Sequence, residues 1–413
     1  MSGARLLRNL LLALLSIGLA GCAGGPRTAK REERLLFFPH PPVPPRVQFL
    51  TWASGAAEVE PEPTGLEAFL LDDGERKRRP RIVKPFGLAV HKGVVYVCDT
   101  KGICISKLDY VNHKFSTFGT DGPGKVRKPI NIVIDDLGFK FVSDPMRNEI
   151  LIYDSDDRYV KAYRLPEPSR VVDMALHGNE IYALDNDKTP QVVVLDRTSG
   201  KVLRTFGSAG REPGQFAIPN SIAIGPEGFV YISDPLLCRI QKLTPEGKPV
   251  WTRGTPGYHL GQFGRPRGLR VGPDGIIYVV DAATEIVQMY DSEGNVLMHF
   301  GGPGTVPGAL YLPSSLAIDR SSIPLFKDYV HPDFRTEYLL FVASQYGPHL
   351  ISIYAFGSFP EGYQLSESEV KTLPKLPEGN QPGEPGKLVP IPPDKEKGGD
   401  GSSGPPRESR EDG

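Results

Sequence analysis

Five aspartates recur along the middle of the chain at intervals of 45, 41, 49 and 47 residues: Asp99, Asp144, Asp185, Asp234 and Asp281. Carboxylates at regular spacing could supply the oxygen shell of a hard cation. Each of them, however, closes an apolar run such as Val230-Tyr231-Ile232-Ser233-Asp234. A group that recurs in every unit of a repeat serves the unit rather than one reaction centre, so these aspartates are expected to accept hydrogen bonds from nearby loop amides. A second set is irregular and more informative. The short strands ahead of the runs begin with Gly87, Asn131, Asp173, Ser221, Gly268 and Ser315. Asn131, Asp173, Asn220, Ser221 and Ser315, with Arg267 beside them, are the candidate binding mouth. Asn131 and Asp173, helped by Asn220, could offer oxygen to calcium, but a calcium site wants more anionic oxygen than one carboxylate beside a guanidinium. No cofactor is expected there, with calcium as the alternative.

Of eight histidines, only His259 and His349 fall in loops expected on the same face. Two from non-adjacent units do not compose a zinc set. Cys98 and Cys104 flank a turn; they could pair in an oxidising compartment, or remain thiols because cross-strand geometry often misses the disulfide dihedral. Cys238 lies in a unit across the ring. The chain contains no Cys-x-x-Cys-His, no Gly-rich phosphate loop and no Gly-x-Ser-x-Gly elbow, so no catalytic residue is assigned.

The elements that carry these residues repeat. Six times, a short apolar strand (Ser221-Ile222-Ala223-Ile224, for example) meets a turn, then a run ending in Asp or, in the sixth copy, Ser344. An alternating strand such as Arg239-Ile240-Gln241-Lys242-Leu243 follows, and a fourth closes on Phe118-Gly119, Phe206-Gly207 or Phe300-Gly301. Four short strands per roughly 45 residues is the signature of a propeller blade. The run Ile232-Ser233-Asp234-Pro235-Leu236-Leu237-Cys238-Arg239-Ile240-Gln241 resembles an NHL repeat, as do Gly214-Gln215-Phe216 and Gly261-Gln262-Phe263 between units. The resemblance covers about residues 81–357 and implies an all-β, six-bladed propeller. An open ring would leave two unpaired edges, so the alternating segment 47–52 is expected to supply the outer strand of the last blade. Residues 46–360 are therefore assigned to the propeller, with a short capped helix from Thr64 through Leu71.

The ends read differently. Arg5 and Arg8 precede an eleven-residue apolar run, too short to span a bilayer but suited to a signal peptide over 1–21. Leu19-Ala20-Gly21-Cys22 resembles the bacterial lipobox, which implies diacylglycerol on the Cys22 thiol and acylation of its freed amine; an ordinary signal peptide is the plainer reading. Ala23 rather than Asp implies outer-membrane retention by the same resemblance. Residues 22–45, with five prolines between Pro39 and Pro45, are expected to form a Pro-rich tether. The Gly-, Pro- and charge-rich segment 361–413 is expected to be disordered. The basic stretch Glu75–Arg81 could touch anionic lipid headgroups or be a solvated loop. An aromatic-bearing insertion at 320–336 is either a partner contact or packing under the ring.

With 48 basic and 49 acidic residues the formal charge is −1, which argues against a nucleic-acid binder. The repeat is legible while no catalytic set is, and fold alone does not assign function. The expectation is a non-catalytic, lipid-anchored envelope propeller that presents its faces to a protein partner or a carbohydrate. The alternative is a divalent-metal-dependent hydrolase or lyase with its site in the channel, of the lactonase or amidating-lyase type.

Overall fold

The computed structural model describes residues 35–40, 42–62, 79–167, 169–366 and 369. Five consecutive four-stranded antiparallel sheets form blades one to five. Blade one comprises Pro85–His91, Val94–Asp99, Cys104–Asp109 and Lys114–Phe118. Blade two comprises Asn131–Ile134, Lys140–Asp144, Glu149–Tyr153 and Tyr159–Arg164. Val171–His177, Glu180–Asp185, Gln191–Asp196 and Val202–Phe206 make blade three. Ser221–Ile224, Val230–Asp234, Arg239–Leu243 and Pro249–Arg253 make blade four. Blade five is Pro266–Val271, Ile277–Asp281, Ile286–Tyr290 and Val296–Gly301. In every blade the second strand is buried along most of its length, because it is covered by a sheet on either side. Outer strands such as Val202–Phe206 alternate between exposed and half-buried.

The first strands of successive blades touch one another in order around the axis, and the sixth touches the first. Closure comes from the N-terminal side. Pro313–Asp319, Arg335–Ser344 and Ile351–Ser358 supply three strands of blade six, and Val47–Ala53 pairs antiparallel with the third, Val47 opposite Phe356 and Ala53 opposite Ile351. The alternation read from residues 47–52 therefore does close the ring. One strand was not expected. Leu36–Phe38, placed by its sequence in the Pro-rich tether, adds a fifth strand beyond Val47–Ala53, with Leu36 opposite Phe49. All three side chains are buried. They are apolar and adjacent, so the outer edge of blade six can cover them from both faces, and burial outweighs the flanking charges and prolines.

The motif residues have local structural work. Gln241 donates from Nε2 to Gln215 O at 2.9 Å and accepts at Oε1 from Gly214 N at 2.9 Å. Gln288 repeats this on Gln262 O and Gly261 N. Phe216 and Phe263 of the same loops are fully buried, so each Gly-Gln-Phe stretch is tied to the blade beneath it.

Three expectations are settled or displaced by packing. Cys98 faces Ile105 across the hairpin, while Cys104 faces Asp99. Side chains alternate between faces along a strand, so the two thiols lie on opposite sides of blade one, and both are free. Burial pushes the Cys98 thiol well above its ordinary pKa. Cys98 should therefore resist alkylation in the native protein and react once the chain is unfolded. A Cys98–Cys104 cross-linked peptide in a non-reducing digest would contradict this.

The insertion packs against the lower side of blade six. Ile323–Phe326 is a single helical turn whose Phe326 is buried against Tyr110 and Phe341, while Leu325 and Tyr329 remain exposed. The start of the C-terminal tail is also engaged: Tyr363 stacks on Phe359 at 4.4 Å, and Glu369 Oε1 lies 2.5 Å from His331 Nε2. The expected helix at 64–71, most of the 75–81 stretch, the signal segment with Cys22, and nearly all of the remaining tail lie outside the described residues.

Candidate functional site

Within each blade the start of the first strand is paired with the end of the second, as Pro85 with Asp99, Asn131 with Ser143 and Pro266 with Asp281. Both ends, and the loops that join them, therefore lie on one rim, the upper face. The five recurrent aspartates stand there, almost wholly buried. Asp99 accepts from the backbone amides of Val83, Lys84 and Gly102 at 2.6, 2.9 and 2.7 Å. Asp281 does the same for Gly264, Arg265 and Ala283. Asp144, Asp185 and Asp234 follow the pattern. Each carboxylate fixes the loop that leads into its blade, as the repetition implied.

The mouth itself is narrow. A Cβ on Gly87 would stand 2.4 Å from Asn131 Oδ1, and one on Gly268 would stand 2.6 Å from Ser315 Cα. Glycine at these two positions lets neighbouring strands close on the axis. The remaining space, bordered by Asn131, Asp173, Asn220, Ser221 and Ser315, has a volume of about 10 Å³, room for about one water.

Asp173 is the hub. Its Oδ1 accepts from Asn131 Nδ2 and, at 2.7 Å, from Met174 N. Its Oδ2 accepts from Ser221 Oγ at 2.6 Å and Ile222 N at 3.0 Å, with Arg270 Nη1 at 3.3 Å. Arg270 also donates to Ser221 Oγ and Leu269 O. The belt runs through blades two, three, four and five. A carboxylate offers about four lone-pair sites, and five donors, one of them a cation, share these. The arrangement suits holding blades together; it opposes a metal ion, which would have to displace Arg270. Among the described residues no group of three His, Cys, Asp or Glu side chains could hold a metal ion.

Of the residues expected at the mouth, Asn131, Asp173 and Ser221 are joined in this belt, and Asn220 and Ser315 border the space. Asn220 is held through its backbone amide on Ser233 O. Arg267 stands apart, its guanidinium 5.6 Å from the Phe86 ring centre. His349 packs against Trp52 at 4.2 Å, and His259 belongs to the loop that precedes blade five. Arg270 was missed. A signal for it existed: at the third position of the first strand the other blades carry Ala89, Val133, Ala175, Ala223 and Ala317, and only the fifth carries a charge.

Around the closed mouth the loops turn apolar side chains outward. Val83, Met146, Leu236, Tyr258, Tyr311 and Tyr346, from blades one, two, four, five and six, are all exposed. The lower face shows fewer, such as Val111 and Leu137 with Leu325 and Tyr329 of the insertion.

No family model and no curated protein matches the chain. Solved structures do. A structural-genomics protein of unknown function from Bacteroides thetaiotaomicron superposes with a TM-score of 0.52 at 16% identity, covering 75% of each chain. A gluconolactonase from Xanthomonas campestris gives 0.48 at 15% identity over 79% of this chain and 97% of its own. Virginiamycin B lyase from Staphylococcus aureus gives 0.46 at 17%, over 70% and 87%. At such identities the likeness shows the fold alone, and that fold is the six-bladed β-propeller.

Proposed function

We propose that the chain is a non-catalytic, lipid-anchored propeller of the bacterial envelope whose upper face binds a partner protein. One observation carries this reading: Asn131, Asp173 and Ser221 at the axial mouth are consumed by one another and by Arg270, while the loops around it hold large apolar side chains in water. Single exposed apolar residues need no explanation, but Tyr311 and Tyr346 stand edge to face at 6.3 Å between ring centres on the face that also exposes Val83, Met146, Leu236 and Tyr258, and aromatic residues are enriched at interaction surfaces. Anchoring is supported by the sequence around Cys22. Thirteen residues separate Cys22 from the strand at Leu36, a reach of at most roughly 45 Å when extended. The outer edge of blade six would then be the part held nearest the lipid.

Two measurements test the reading. Cys22→Ser should move the protein from the membrane to the soluble envelope fraction and abolish incorporation of a labelled fatty acid. A photo-crosslinking residue placed at Met146 or Tyr346 should capture a discrete partner in intact cells, whereas one at Leu137 on the lower face should not. Equal capture from both faces, or stoichiometric metal in the purified protein that is lost in Asp173→Ala, would overturn it.

A further inference from the structure

Arg267 lies on the upper rim; its backbone carbonyl accepts Ser233 Oγ at 2.5 Å, and its guanidinium lies over the Phe86 ring, 5.6 Å from the centre. The residue is 8% exposed. Its Nη1 is cut off from solvent and has no hydrogen-bond partner among the described residues. Other arginines of this propeller are treated differently. Arg270 has Asp173, and Arg239, similarly buried, donates to the carbonyls of Arg211, Glu212 and Gln215. Among the described residues, the groups that act on the charge of Arg267 are Arg265, which repels it, and Tyr346, and no carboxylate is among them. Burial and then Arg265 bring its pKa down to about 10, so it remains a cation at neutral pH. Burying part of a charged group with no hydrogen-bond partner carries a desolvation cost, which a bound anion would offset.

The surroundings extend the positive rim. Arg265 is exposed two residues earlier. On the neighbouring side, Lys84 Nζ donates to Tyr346 Oη at 2.8 Å and lies 4.9 Å from that ring's centre. Blades five, six and one thus contribute two guanidinium groups, a tyrosine and an ammonium to one arc of the upper rim. A guanidinium fork matches the two oxygens of a carboxylate or phosphate. We propose that Arg267, with Arg265 and Lys84 on the rim, forms an oxyanion-binding site that takes a carboxylate or phosphate group of a ligand at the upper mouth. It deepens the reading of the upper face as the binding face by assigning the chemistry bound there, and it does not require the ligand to be a protein.

The test is thermal unfolding of the full chain at constant ionic strength, with sodium succinate or sodium phosphate replacing sodium chloride. Ligand that binds the native state raises Tm saturably. The wild-type protein should show such a rise with at least one probe. Arg267→Met should weaken the apparent affinity about ten- to a hundredfold, the range for hydrogen bonds to a charged group. Lys101→Met, an exposed upper-face lysine, controls for net charge and should respond as wild type. Both probes also stabilise proteins in general, so the difference between wild type and Arg267→Met is the quantity read. In chloride alone Arg267→Met should be at least as stable as wild type, because it removes an unpaired buried charge; a purely structural guanidinium would give the opposite sign. If that variant fails to fold, Arg265→Met with Lys84→Met should weaken the response instead. Saturation by succinate alone identifies a carboxylate, and by phosphate alone a phosphate. No saturable rise with either, or the same rise in Arg267→Met, overturns the proposal. The readout needs no partner, so a failed crosslinking experiment would leave it standing.

Discussion

Asp173→Ala is expected to lower stability by about 3–5 kcal/mol, the range for removing one partner of a buried ion pair. The magnitude follows from what remains. Arg270, 17% exposed at its side chain, would keep its charge but lose its carboxylate. Asn131 Nδ2, Ser221 Oγ and the amides of Met174 and Ile222 would lose their acceptor in the same step. The belt joins four blades, so the loss should appear in global urea unfolding rather than in local fraying. Asp173→Asn, which keeps one acceptor oxygen, should fall between. Adding Arg270→Met to Asp173→Ala should recover part of the loss, because the stranded charge is then gone; the double-mutant cycle isolates the pair. A drop below about 1 kcal/mol, typical of a surface site, would mean that the belt does not hold the ring.

Much of the architecture was legible because it repeats. An Asp at the end of one strand is ambiguous, but five in register can only be a property of the blade, and their amide partners bear this out. Closure by Val47–Ala53 was legible for a different reason: six first strands demand six outer strands, and only five follow their own blades. Less legible were features that depend on who sits opposite. The separation of Cys98 from Cys104 is a matter of register, which a turn of uncertain length does not fix. Arg270 is hidden in an apolar strand, and its role exists only because Asp173, 97 residues earlier, reaches the same axis. At the mouth, Asn131, Asp173 and Ser221 were identified by position, yet their chemistry was expected to face a ligand and instead faces inward on itself.

The strand at Leu36–Phe38 was illegible because three residues carry no period, and only their burial shows that they belong to the fold. That burial makes a strong claim about Phe37. It is fully buried, with ring centres 5.9 Å from Phe334, 5.3 Å from Phe359 and 6.1 Å from His331. Leu36 and Phe38 face the other way, into the cluster that includes Phe300 and Leu310 of the blade-five side. The strand therefore joins blade six to the insertion on one face and to blade five on the other. Phe37→Ala is expected to cost about 3–5 kcal/mol, as for other buried phenylalanines cut to alanine, with Phe37→Leu costing less because more of the volume is kept. An edge strand held by its backbone alone would fray, and Phe37→Ala would then change the urea midpoint little. A large loss instead places Leu36–Phe38 inside the cooperative unit, so that any pull transmitted from an anchor at Cys22 would act on the clasp of the ring itself.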